Sequence, residues 1–289
     1  MRGPVCSPRP SVAWTEAVDG RANHHYGSGG LRLAAHLEKP DPDEVAVNGD
    51  PLPDEGVPAV LICHGFPSGP GGGANSPATF PELARRISKQ LGWVAMVPYL
   101  RGMPGSEGNF SLDGWRDDLL AAARHLRDSD EVGVQVGGIW AVGFGTGAGL
   151  AICAAAVESA IRGVGALATP ADWSDWADNP RRLLLHARDA GLLSDPEFPT
   201  DFHSWAGALG SISPEACVGG LRPRNLLLVH GSNDNAVPPL DARALAAAHG
   251  AADLRMISGA GHHLRHDPRA IAVLLGWLVR QRRLNGRIG

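Results

Sequence analysis

Apolar residues in this chain fall into short continuous runs, and between those runs lie stretches with helical spacing. Residues 163–168, 225–230 and 254–257 are expected strands, and 59–63, 93–98 and 139–142 are continuous apolar runs. Runs of that length predict strands covered on both faces. Residues 80–91, 112–126, 240–249 and 270–283 read as helices, 146–157 are small and apolar enough to be a core helix, and Asp267 and Pro268 supply an N-cap and first-turn proline for the one at 270–283. Ahead of them, 11–18 and 31–37 alternate polar and apolar residues around Gly27, Gly29 and Gly30, which predicts a strand, a glycine turn and a second strand. Strands alternating with helices predict an α/β fold with a mostly parallel sheet flanked by helices.

The alternation breaks between Trp173 and Gly220. Trp173, Trp176 and Trp205 are mixed there with short helical patterns such as 180–190, which predicts a small helical cap. The organisation is then a tail and first edge strand over 1–19, a core over 20–172, the cap over 173–220, and the rest of the core over 221–289. At 289 residues and 44% hydrophobic content, the chain can bury one large core.

Charge and cysteines narrow the function classes. A net charge of -4 and a pI near 6.3 give no electrostatic reason for a nucleic acid or an anionic membrane as partner. Cys6, Cys63, Cys153 and Cys217 lack the C-x-x-C spacing of zinc or redox sites, which fits a reducing cytoplasm. Residues 1–11 contain no apolar signal region, and no apolar run reaches the roughly 18 residues of a membrane helix. Residues 68–77 look like a phosphate cradle but lack its G-K-[ST] ending, so they are expected to be a surface loop.

The chemistry centres on Gly143-Phe144-Gly145-Thr146-Gly147, between an expected strand and an expected helix. A Cβ at 143 or 147 would collide with the neighbouring elements. Gly143, Gly145 and Ala148 also fit a dinucleotide loop, but no acidic residue stands about 20 positions on to bind a ribose, and the loop falls mid-chain. No cofactor is implied.

Four segments, His64-Gly65-Phe66, Gly143 to Gly147, His230-Gly231-Ser232-Asn233-Asp234 and Gly259-Ala260-Gly261-His262, stand in this order, each after an expected strand. Over residues 20 to 283 the sequence thereby resembles the α/β-hydrolase superfamily, whose G-x-S-x-G elbow pushes a serine hydroxyl out over the sheet. Gly145 stands at the nucleophile position and has no side chain with which to attack a carbonyl. The resemblance implies that Asp234 is the acid and His262 the base. It also implies that the backbone N–H groups of Phe66 and Thr146 form the oxyanion hole.

Other residues compete for these roles. Asp172 is the second candidate acid, and His64 is expected to shape the oxyanion loop. His262, His263 and His266 spell H-H-x-x-H, yet Pro268 places the helix start beyond them, so that spacing is not expected to bind metal. Among hydroxyls, Thr146 is expected to be a core or capping group, Ser106 a loop-structuring group and Ser232 part of a turn.

Three functions follow. The chain is of the carboxylic ester, thioester or amide hydrolase lineage with its nucleophile lost. Alternatively it is an enzyme needing no nucleophile, such as a lyase, a cyclase or a direct hydrolase using His262 and Asp234. The third is a pseudoenzyme that binds a small molecule. In each case the tryptophans of the cap favour a small or medium apolar acyl group as substrate or ligand.

Overall fold

A computed structural model describes residues 22–40, 56–67, 80–132 and 135–285. The expected tail, the strand at 11–18 and the loop at 68–77 lie outside the described residues.

The continuous apolar runs lie in the interior of one eight-stranded sheet, and 254–257 lies in its partly exposed edge strand. Its strands are β1 (His24–Ser28), β2 (Leu31–Glu38), β3 (Val57–Cys63), β4 (Val94–Pro98), β5 (Val136–Phe144), β6 (Ile161–Leu167), β7 (Asn225–Gly231) and β8 (Asp253–Ile257). The order across the sheet is β1-β2-β4-β3-β5-β6-β7-β8. Strands β4 through β8 run parallel, while β2 is antiparallel to both β4 and β1. All five residues of β4 are buried, as a strand covered on both faces requires.

Helices α1 (Pro81–Leu91), α2 (Leu112–Asp128), α3 (Thr146–Val157), α4 (Ser174–Asp178), α5 (Pro180–Asp189), α6 (Phe202–Ser211), α7 (Pro214–Val218), α8 (Pro239–His249) and α9 (Pro268–Asn285) complete the fold. Local chemistry sets their ends. Ser111 caps α2 by accepting from the Gly114 N–H at 3.1 Å, and Gly92 ends α1 in the left-handed region at φ 67°. Ten of the twelve residues of α3 are buried. Helices α4 to α7 occupy the interval between β6 and β7, where the alternation of the sequence breaks.

The edge hairpin departs from expectation. The turn at Gly29 and Gly30 joins β2 to β1 (His24–Ser28), so Gly27 lies within a strand rather than in the turn. The sequence His24-His25-Tyr26-Gly27-Ser28 has too few apolar residues to display a period of two, yet Tyr26 is buried against the core.

Asp118 is an inward-facing charge on α2 and is fully buried. It accepts hydrogen bonds from the Ser28 hydroxyl at 2.7 Å, the Arg101 backbone N–H at 2.8 Å and the Arg101 guanidinium at 2.7 Å. Burying this carboxylate is affordable only with that full set of donors. The result ties together β1, α2 and the loop after β4.

Candidate functional site

The sheet order reverses between β3 and β5, since the chain leaves β3 for β4 on one side and returns to β5 on the other. Open α/β sheets bind ligands in the crevice at such a point. The C-terminal end of β3 delivers His64, Gly65 and Phe66 there, and the end of β5 delivers Gly145.

Gly145 sits at φ 54° and ψ -124°, a conformation that side chains strain to adopt. Its N–H donates to the Leu167 carbonyl of β6 at 2.9 Å, and its carbonyl accepts from the Ala148 N–H at 3.0 Å. On either side, a Cβ on Gly143 would run into the backbone of Ala148, and one on Gly147 into the His64 carbonyl. The turn is therefore as tight as the glycines suggest. A Cβ on Gly145 itself would meet nothing nearer than His262 Nε2 at 3.6 Å and Cε1 at 3.8 Å.

His262 is positioned by the loop after β8. Its Nδ1–H donates to Oδ2 of Asp234 at 3.0 Å, which fixes the ring with Nε2 facing Gly145. Asp234 follows β7, and its side chain is fully buried. Its Oδ1 accepts from the N–H groups of Ala236 and Val237, both at 2.9 Å. Burial alone would push this carboxyl up. The hydrogen bonds from His230, His262, Val237 and Ala236 outweigh burial and hold it far below the usual carboxylate range.

His230 has no role assigned from the sequence, and it contacts this carboxylate. Its Nε2 lies 3.3 Å from Asp234 Oδ2 and 3.0 Å from the Val237 carbonyl, so Nε2 carries the proton and donates to both. The i, i+4 spacing of His230 and Asp234 across the end of β7 is the signal that would have found it.

The remaining candidates separate cleanly. Asp172 accepts from the Ser174 N–H at 2.8 Å and hydroxyl at 2.7 Å, which uses it to start α4. Ser106 donates to the Tyr99 carbonyl at 2.6 Å and accepts from the Ala34 N–H at 2.9 Å, so it braces its loop. Ser232 accepts from the Gly259 N–H at 2.8 Å in an exposed turn. Helix α9 starts at Pro268, which leaves His262, His263 and His266 on the loop and a short 3-10 turn before it.

Thr146 opens α3, so its N–H has no acceptor within the helix and lies at the positive end of the helix dipole. Phe66 packs edge-on against Phe110 at 5.2 Å and Trp176 at 5.3 Å between ring centroids. Behind it, His64 lies edge-on to Trp115, donates from Nδ1 to the Gly65 carbonyl at 2.9 Å and takes the Leu100 N–H on Nε2 at 3.5 Å. Burial pushes the His64 imidazole down to about 4, against the opposing pull of the Gly65 hydrogen bond. A neutral, doubly bonded ring in that place holds the Phe66 loop still; it is not placed to exchange protons with a ligand.

These groups open on a cavity of about 810 Å³. Gly145, Thr146, Phe66 and His262 form its floor, and Trp173 and Trp176 line it from the cap side. Trp205 is buried elsewhere in the cap, with its Nε1–H on the Phe110 carbonyl at 3.2 Å. Helix α7 packs directly on α3: a Cβ on Gly149 would come within 2.9 Å of both Pro214 Cγ and Trp173 Cζ2.

No protein-family model and no curated protein matches the sequence. Solved structures do match. Est1E from Butyrivibrio proteoclasticus, bound to ferulic acid, superposes with a TM-score of 0.65 at 21% identity, covering 89% of this chain and 98% of that one. The meta-cleavage product hydrolase CumD from Pseudomonas fluorescens IP01 gives 0.61 at 17% identity over 90% and 98% of the two chains. The α/β hydrolase GrgF from Penicillium sp. sh18 gives 0.63 at 16% identity over 89% and 95%. With its sheet order and the loops at its strand ends, the chain has the α/β-hydrolase fold. No helix among the described residues is long and apolar enough to cross a membrane.

Proposed function

We propose that this protein is of the lineage that hydrolyses carboxylic esters, thioesters or amides, and that Gly145 stands where that lineage carries its nucleophile. His262, held by Asp234, then acts as general base on a water molecule or a substrate oxygen in the space a serine side chain would fill. The observation that carries this reading is the clear 3.6 Å between the Cβ direction of Gly145 and His262 Nε2.

In the direct hydrolysis of an ester, Nε2 takes a proton from water as the water oxygen attacks the carbonyl carbon. The N–H groups of Thr146 and Phe66 receive the developing oxyanion. Collapse of the tetrahedral intermediate expels the alkoxide, which recovers the proton from His262. The aromatic wall of Phe66, Trp173 and Trp176 supports an apolar acyl group of small or medium size. Cys63, Cys153 and Cys217 are free thiols, in keeping with a cytoplasmic location.

Turnover of a short-chain p-nitrophenyl ester tests the reading, using the protein, Gly145→Ser, and His262→Ala in each background. The glycine form should turn over at about 10³–10⁴ times the rate in water, the residue left when a serine hydrolase loses one member of its triad. His262→Ala should abolish that activity. Activity only in Gly145→Ser, lost with His262→Ala, would mark a disarmed hydrolase with no reaction of its own. Activity in neither form would overturn the catalytic reading in favour of a pocket that only binds.

A further inference from the structure

A second constellation lies on the far edge of the sheet, apart from the crevice. His24 comes from β1, His125 from the last turn of α2, and Glu131 from the 3-10 turn that follows α2. One ligand atom from each, two imidazole nitrogens and a carboxylate oxygen, lies within 4.8 Å of both others. The two histidines are 101 residues apart in sequence, yet their Nε2 atoms face one another at 2.6 Å. The rings are tilted by 54° with centroids 4.9 Å apart.

We propose that His24, His125 and Glu131 bind a late first-row divalent cation such as Zn²⁺.

Two imidazoles whose Nε2 atoms meet can share one proton, and that alone would account for the pair. It does not account for the carboxylate. Glu131 is exposed, and its turn is fixed by a hydrogen bond from its N–H to the Ser129 hydroxyl at 3.2 Å. Two neutral imidazoles and one carboxylate are a frequent zinc donor set, with a fourth position left open for water or another ligand. Zn–N bonds of about 2.0–2.1 Å in tetrahedral geometry set the two nitrogens roughly 3.3 Å apart. The rings need only part slightly to admit the ion. Hard-cation sites are built from oxygen alone, so this nitrogen-rich set selects against Ca²⁺ and Mg²⁺. His125 and Glu131 also border a surface groove of about 470 Å³, through which an ion can reach them.

The site would staple the edge strand. β1 pairs with β2 on one side only, and α2 lies across it. A cation held by β1, the end of α2 and the turn beyond it stabilises the fold by mass action, since it binds the native arrangement and not the unfolded chain.

The full chain, stripped with chelator and desalted, is titrated with ZnCl₂ and with MgCl₂ by calorimetry, and thermal unfolding is recorded in parallel. The proposal expects one equivalent of Zn²⁺ to bind with a rise in Tm, and Mg²⁺ to do neither. His125→Asn and His24→Gln should each lose that equivalent and the rise. Glu131→Gln changes only an exposed side chain and so keeps the fold, and it should weaken binding at least about tenfold. Co²⁺ gives a second readout: the visible absorption of a tetrahedral site, present in the parent and lost in Glu131→Gln. Absence of Zn²⁺ binding by the parent overturns the proposal. So does an equivalent that survives all three substitutions but disappears in His262→Ala, because the ion then belongs to the crevice.

Discussion

Gly145 and His262 face each other across a gap that one side chain would fill: a Cβ on Gly145 would stand 3.6 Å from Nε2 of His262. A hydroxyl one bond further out reaches hydrogen-bonding distance of that nitrogen. The backbone at φ 54° and ψ -124° is the strained arrangement that an exposed apex residue requires, and glycine occupies it at little cost.

Strain and chemistry can be separated there. Gly145→Ala and Gly145→Ser should each lower stability by about 1–3 kcal/mol, the usual cost of a side chain in a sparsely populated backbone region. Only the serine variant should gain ester turnover. Urea unfolding alongside p-nitrophenyl ester kinetics checks both. Equal stability of all three proteins would mean that the apex is relaxed.

His64 links stability to pH. Its folded value of about 4 lies below the ordinary 6.5, because burial disfavours the imidazolium. The unfolded chain therefore binds a proton at a higher pH than the native one. The contribution is complete above pH 6.5 and is lost as pH falls from there towards 4. Its full size is on the order of 3 kcal/mol. His24, His125, His249 and His266 are also pushed down by burial and add to the same slope. They cancel when the parent is compared with His64→Gln, whose unfolding free energy should fall less steeply between pH 7 and 4.5. Parallel curves would show that His64 is not held neutral.

Cys217 should be the reactive thiol among the described cysteines. Helix α7 and the 3-10 turn after it pack along α3 so that positions 149 and 214 meet at one end and 156 and 220 at the other, which sets Cys217 beside Cys153. The neighbouring Cys153 thiol pulls Cys217 down against the opposing effect of burial, whereas burial pushes the Cys63 thiol up. Iodoacetamide at pH 7, followed by peptide mass mapping, should modify Cys217 well before Cys63. Replacing Cys153 with Ala should move the pH midpoint of Cys217 labelling up towards the ordinary thiol value of about 8.5. Unchanged pH–rate profiles would remove the Cys153 thiol as the cause.

The parts of this architecture legible in the sequence share one property: their signal is local. Continuous apolar runs announce β3 to β7, and Pro268 marks the start of α9 before any contact is known. The glycines at 143 and 147 encode close approach, which their neighbours in space confirm. Asp118 was opaque for the opposite reason. Asp118 shares a face with Trp115, Leu119 and Ala122, and only its donors on β1 and on the loop after β4 explain a buried charge there. His230 is the intermediate case: its i, i+4 spacing with Asp234 is local, and the turn after β7 turns that spacing into a contact. β1 escaped notice because an edge strand buries little and needs no apolar alternation to pair.

Gly149 is the seat on which the segment between β6 and β7 rests. Pro214 and Trp173 rest on it so closely that not even a methyl group would fit between them and α3. The seam covers a helix with ten of its twelve residues buried. Trp173, which lines the crevice, is thereby seated directly on the helix that Gly145 opens.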